Sequence, residues 1–157
     1  MCPVAIEVYS GPRADLLPLF RLADDSLGAI LGYLEVGEVL VARRDGRIIG
    51  HVQSMAGERE WEIRSVAVIE RERGEGVGRA LIRAALGLAF GAGAERVLVA
   101  TATADLGNLR FYQRLGFRMD RIERDAFRAE NGYADLESDG IPIRDRVWFS
   151  ICAGDTS

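Results

Sequence analysis

The stretch from Val66 to Leu81 constrains this chain most. The apolar run Val66-Ala67-Val68-Ile69 passes through Gly74, Gly76 and Gly78 straight into the helical pattern that begins at Val77. A strand feeding a glycine turn and then a helix gathers consecutive backbone N–H groups at the positive end of a helix dipole, with no Cβ in front of them. Such a junction holds a phosphate or pyrophosphate. The P-loop spacing G-x-x-x-x-G-K-[ST] is excluded, because all twenty Lys+Arg residues are arginine. The dinucleotide spacing G-x-G-x-x-G is not met either: Arg79 follows Gly78, and no acid follows a second strand in the expected frame.

The spacing that fits is Arg73-x-x-Gly76-x-Gly78, which resembles the [QR]-x-x-G-x-[GA] signature of the GNAT superfamily of acetyl-coenzyme A-dependent N-acyltransferases. Downstream, the segment from Asp105 to Phe117 ends in Phe111-Tyr112-Gln113-Arg114-Leu115-Gly116-Phe117, and it resembles the superfamily's other signature, a short helix closing in F-Y-x-[KR]-x-G-F. The two lie in the expected order, with a helical and a strand pattern between them. The resemblance implies an α/β fold with a central twisted, mostly antiparallel sheet of about seven strands and about four helices on both faces. It implies a single domain over residues 1–157, acetyl-coenzyme A as co-substrate and no metal.

Bulk properties agree with that reading. A chain of 157 residues suits one domain with a sizeable core. Cys2 and Cys152 lie far apart in sequence, and the pattern lacks a signal-peptide n-region, a long apolar run or a lipidation motif. The expectation is a cytoplasmic protein with no membrane or nucleic-acid partner. The formal net charge of −4 argues mildly for a cationic partner and decides little. Relatives of this kind are often homodimers, which no residue pattern here addresses.

Along the chain, Val4 to Tyr9 alternates as a strand, Arg13 to Ala23 reads as a helix weakened by Pro18, and Ser26 to Leu34 as a second short helix. Asp45-Gly46 sets a hairpin between Glu38 to Arg43 and Arg47 to Ser54. A strand from Glu60 to Ile69 leads to the glycine turn. The following helix shows Val77, Ala80, Leu81, Ala84, Ala85 and Leu88 at helical spacing and stops at Gly91-Ala92-Gly93. Glu95 to Thr101 reads as a strand, Gly107 to Leu115 as a helix, and Phe117 to Phe127 and Arg144 to Ile151 as the last strands. A right-handed crossover makes Val66 to Ile69 and Val97 to Val99 parallel neighbours.

Acetyl transfer from a thioester to an amine requires a neutral amine, a polarised carbonyl and a protonated leaving thiolate. An alkylamine near pKa 10.4 costs roughly 4 to 5 kcal/mol to deprotonate at pH 7, so a general base is useful. Glu62, eleven residues before Arg73, matches the offset of the base glutamate in the histone acetyltransferase branch of the superfamily. Glu60 shares its strand face and is the substitute, and both also read as solvated acids of the cluster Glu58 to Glu62. His51, the sole histidine, has a suitable intrinsic pKa but reads equally as a packed residue.

The resemblance assigns Tyr112 as the acid for the thiolate, against an ordinary core role beside Phe111. It gives the main chain of Val66, Ala67 and Val68 to the carbonyl and the pantetheine arm. The pyrophosphate goes to the backbone of Arg73, Gly74, Glu75, Gly76, Val77, Gly78 and Arg79, with charge added by Arg71 and Arg83. Where many relatives carry an asparagine seven residues before the tyrosine, this chain has Asp105, with Asn108 three residues later. Aspartate accepts only, so the contact to the arm is lost or falls to Asn108. That departure leaves open a non-catalytic acyl-coenzyme A-binding module, whereas Tyr112 and Glu62 favour an enzyme acting on a primary amine by direct attack. The C-terminal segment Gly140-Ile141-Pro142-Ile143-Arg144-Asp145 resembles the end of a bacterial branch. Glu130, Asp135, Glu137, Asp139 and Asp145 there form either a collar for a cationic amine or a set of solvated charges.

Overall fold

A computed structural model describes residues 2–133 and 135–155. In chain order the elements are β1 (Ala5–Val8), α1 (Leu17–Ala23), α2 (Leu27–Tyr33), β2 (Glu38–Arg44), β3 (Arg47–Met55), β4 (Glu60–Val68), α3 (Val77–Gly91), β5 (Arg96–Ala102), α4 (Leu106–Arg114), β6 (Arg118–Glu123), β7 (Glu137–Ser138), β8 (Ile141–Pro142) and β9 (Arg146–Cys152). Seven strands form one sheet in the order β1-β2-β3-β4-β5-β9-β6, and β7 with β8 forms a small separate hairpin in the C-terminal loop. Every pairing in the large sheet is antiparallel except β4 with β5.

Local chemistry accounts for the elements and for their differences from expectation. Pro18 does not break α1. It sits in the first turn, where its missing N–H is not needed, and a 3-10 turn from Arg13 to Leu16 precedes it. Ser26 caps α2, its hydroxyl accepting from the Ala29 amide at 3.2 Å. The strand expected to run from Phe117 to Phe127 ends at Glu123, because Asp125 turns with φ 57° and donates its amide to the Asp145 carboxylate at 2.8 Å.

One face of the sheet packs α3 and α4 around Leu81, Ile82, Ala85, Val97, Tyr112 and Phe149. The other packs α1 and α2, with Phe20, Ile30 and Tyr33 against Val39 and Val41. The buried stripe of α3 is Val77, Leu81, Ile82, Ala85, Leu86 and Ala89. That is rotated from the expected stripe, and Leu88 lies exposed. The longer side chains Ile82 and Leu86 reach the sheet in place of Ala80 and Ala84, since burying more carbon releases more apolar surface from water.

The parallel neighbours differ in register from the expectation. Glu60 to Ile63 pair with Arg96 to Val99, and Val66 to Val68 make no ladder contact with β5. Beyond Ile63 and Val99 the two strands splay. A bulge accompanies the splay: β3 residues Gln53 and Ser54 pair with Ser65 and Ile63, leaving Arg64 as the extra residue. The bulge resets the alternation, so Glu62, Ser65 and Ala67, opposite Met55, Gln53 and His51, share the face that α1 and α2 cover.

Candidate active site

The splay opens a cleft of about 950 Å³, lined along its length by Val66 to Val68 on one side and Ala100 to Ala102 on the other. Val66, Ala67 and Val68 pair with β3 only, so the second edge of this segment turns main-chain groups toward the cleft, the Val68 carbonyl excepted because it accepts from Arg73. An extended, amide-bearing arm can add there as a strand.

At the C-terminal end of β4 the cleft meets the glycine turn. Gly74 and Gly76 adopt φ 82° and 83°, and no protein atom stands within 4 Å of where a Cβ would project from either. Gly76 opens α3 without a side-chain cap, and the first amide to find a helical carbonyl is that of Ala80, at 3.0 Å from the Gly76 oxygen. The amides of Val77, Gly78 and Arg79 therefore lie free at the positive end of a fifteen-residue helix. Arg73 braces the turn, its Nε donating to the Val68 carbonyl at 2.9 Å. Gly78 packs under the Phe111 ring, where a Cβ would stand 3.4 Å away in ordinary contact, so α3 and α4 meet at this point. Arg73, Gly74, Gly76, Val77, Gly78 and Arg79 all line the cleft, whereas Glu75 does not.

Tyr112 lines the cleft from α4 and is 3% exposed, its ring set among Phe111, Phe117 and Phe149 with centroids 5.1, 5.6 and 5.7 Å away. Burial, and secondarily the Asp105 carboxylate, push its phenol well above the ordinary value, so it stays protonated as a donor at neutral pH. Asp105 caps α4, accepting from the Asn108 amide at 3.0 Å. Asn108 donates its Nδ2 to Thr101 Oγ1 at 3.0 Å. Both line the cleft, and the side-chain oxygen of Asn108 remains available to it. The aspartate that departs from the signature thus has a helix-capping function of its own.

Glu62 also lines the cleft, with Arg64 Nη1 at 3.4 Å from its carboxylate. Glu60 does not reach the cleft; it is ion-paired to Arg96 on the neighbouring strand. His51 is buried away from the cleft, stacked on Phe20 at 4.3 Å and bonded through Nε2 to Ser65 Oγ at 2.8 Å. Burial lowers its pKa to about 3, so it is a neutral packing residue and no base.

Sequence reasoning missed the acceptor wall. Asp24 accepts from the hydroxyls of Tyr33 and Tyr133 at 2.9 and 2.8 Å and from the Ser26 amide at 3.0 Å, which joins the α1–α2 connection to the C-terminal loop. Both phenols are raised by burial first and by Asp24. Phe127, Arg146 and Trp148 complete this end of the cleft. None of Glu130, Asp135, Glu137, Asp139 and Asp145 lines it; they lie outside, with Asp135 and Glu137 beside a second, shallower depression.

An open strand edge leading to unpartnered helix amides, with a buried phenol opposite, fits a thioester on a long arm ending in a pyrophosphate. Known proteins agree. The sequence model of the acetyltransferase (GNAT) family matches residues 14–117. The chain is 30% identical over 148 residues to the uncharacterized N-acetyltransferase YvbK of Bacillus subtilis, covering 94% of this chain and 95% of that one. Among solved structures, the IAA acetyltransferase from Bacillus cereus superposes with a TM-score of 0.87 at 30% identity over 96% of this chain and 99% of the other. A GNAT family acetyltransferase from Elizabethkingia anophelis, solved with acetyl-CoA bound, gives 0.88 at 25% identity over 95% and 97%. The residues that build the cleft and these likenesses together place the chain in the GNAT family of acetyltransferases.

Proposed function

We propose that this N-acetyltransferase binds acetyl-CoA along the open edge of β4 and transfers the acetyl group directly to a primary amine, with Glu62 as base and Tyr112 as acid. The observation that carries the proposal is the cleft itself: a strand edge with unpaired main-chain groups runs between the free amides of α3 and the Tyr112 phenol. The pyrophosphate sits on the backbone from Arg73 to Arg79, with Arg79 and Arg73 adding charge. The pantetheine arm lies against Val66, Ala67 and Val68, with Asn108 as a side-chain partner and Asp105 holding the helix that carries it.

Glu62 takes a proton from the ammonium, directly or through water, and the free nitrogen attacks the thioester carbonyl carbon. Main-chain N–H groups of the open β4 edge stabilise the charge that develops on the carbonyl oxygen. As the C–S bond breaks, Tyr112 gives its hydroxyl proton to the departing thiolate. The nitrogen of the addition intermediate releases its extra proton to solvent as the amide forms, and the proton held by Glu62 passes through solvent to the phenolate, which restores both groups.

Residues 1–157 act as one domain in this reading. Among the described residues no helix is long and apolar enough to cross a membrane, and Cys2 and Cys152 are free thiols. Both facts support a cytoplasmic protein. A homodimer is the assembly expected from its relatives.

Tyr112→Phe tests the assignment. Coenzyme A release with an amine panel falls ~10-fold to 1,000-fold while acetyl-CoA affinity by calorimetry stays within about twofold. Unchanged turnover removes Tyr112 as the acid, and absence of acetyl-CoA binding by folded wild-type protein removes the whole proposal.

A further inference from the structure

The acceptor end of the cleft carries two arginines whose guanidiniums lie over aromatic rings. Arg64, the residue displaced by the bulge, holds its guanidinium 4.7 Å from the centroid of the Tyr33 ring. From the opposite wall, Arg146 stands 4.9 Å from the centroid of Phe127. A guanidinium over a ring face spends no N–H donor on that contact, and its fork matches a carboxylate in two parallel hydrogen bonds. Both face one region: the Tyr133 phenol, raised by burial and by its bond to Asp24, is drawn back down by Arg146 and by Arg64.

Phosphate binding does not account for Arg64. It precedes Val66 to Val68, whereas the glycine turn follows them. Four residues of strand separate Arg64 from the end of β4, roughly 13 Å at 3.3 Å per residue.

The carboxylates around these arginines are unequally committed. Asp24 already accepts three hydrogen bonds. Glu123 contacts Arg146 at 3.5 Å and accepts the Trp148 indole N–H at 3.1 Å. Among the described residues Arg64 has Glu62 alone as a carboxylate partner, at 3.4 Å, in a pair whose side chains are 39% and 27% exposed. A long, part-exposed pair of this kind is worth little and is easily exchanged. It also engages the carboxylate that must accept the proton. The acids that would make a collar for a polycation lie outside this space.

We propose that the acceptor is an amino acid, an amine that carries its own carboxylate a few bonds away, and that this carboxylate takes Arg64 from Glu62 as the substrate enters. The inference rests on the acetyl-transfer reading above. The separation of 3.4 Å between Arg64 and Glu62 suits an α-amino acid, whose ammonium and carboxylate share one carbon and reach both groups together. The exchange satisfies the guanidinium fork and frees Glu62 for the ammonium. Recognition of the carboxylate and readiness of the base are thereby one event. Tyr33, Phe127 and Trp148 line the same end and favour an apolar side chain on the substrate.

The test measures acetyl-CoA-dependent coenzyme A release by wild type, Arg64→Gln and Arg64→Lys. Phenylalanine, leucine and methionine are each compared with the matching decarboxylated amine and the matching carboxamide. Wild type is expected to prefer each amino acid by at least 10-fold in kcat/KM. Arg64→Gln is expected to cut that preference at least 10-fold, chiefly through KM, with Arg64→Lys intermediate because it keeps charge without the fork. Equal or better turnover of the decarboxylated amines overturns the inference while leaving acetyl transfer intact. So does a preference that survives Arg64→Gln in protein whose melting temperature matches wild type. Turnover of neither set also overturns it, and loss of acetyl-CoA binding by wild type would remove the underlying function as well.

Discussion

His51 gives a prediction whose size follows from its surroundings. Its ring is fully buried, stacked on Phe20 and bonded to Ser65, and burial depresses its pKa to about 3 against an ordinary 6.5. A folded-state pKa below the unfolded value contributes stability that is complete above pH 6.5 and is lost as pH falls toward 3, because the unfolded chain binds the proton first. Between pH 7 and pH 5 the unfolded imidazole protonates and the folded one does not, which costs about 2 kcal/mol at 1.36 kcal/mol per pH unit. The chain has one histidine, so little else titrates in this window. The perturbation is therefore pH itself, with His51→Gln as the reference that keeps a polar partner for Ser65 and cannot titrate. Urea unfolding at pH 7 and pH 5 reads the effect. At an m value of roughly 2 kcal/mol per molar, the wild-type midpoint should fall by about 1 M more than that of the variant. Equal shifts in the two proteins would refute the reasoning and show that the folded imidazole takes up the proton freely.

Two further outcomes test the site. Glu62→Gln should steepen the loss of rate as pH drops below the amine pKa, since the variant depends on amine already neutral in solution; a pH–rate profile parallel to wild type excludes Glu62 as base. Gly76→Val places a branched side chain at φ 83°, in front of the turn, where no protein atom lies within 4 Å. Backbone strain of about 1 to 3 kcal/mol leaves a folded domain, visible by circular dichroism, while calorimetry should show acetyl-CoA affinity reduced at least tenfold.

The parts of this protein that were legible in the sequence are those written in local chemistry. The glycine turn, helix α3 and the helix that presents Tyr112 each follow from neighbours within a few positions, so local spacing is enough to place them. The order of the elements followed for the same reason. Three features escaped. The stripe of α3 was misplaced because alanines and leucines alternate around the helix, and only the depth of the sheet surface selects Ile82 and Leu86. The register of β4 against β5 depends on where a bulge falls, and the sequence around Arg64 carries no glycine or proline to mark it. The acceptor wall joins Asp24 to Tyr133 across 109 positions, a contact created by the closing of the C-terminal loop and by no motif. Asp105 was legible as a departure from pattern, and its capping bond to Asn108 was what the pattern could not supply.

The extra residue in β4 has a consequence for how such a domain tolerates change. Glu62 and Ser65 are an odd number of positions apart, and only the bulge at Arg64 lets both look toward α1 and α2. Deleting one residue there would leave the remaining side chains chemically intact and yet send Glu62 to the other side of the sheet. A point substitution keeps that alternation, whereas a single missing codon inverts it for everything on one side of the gap.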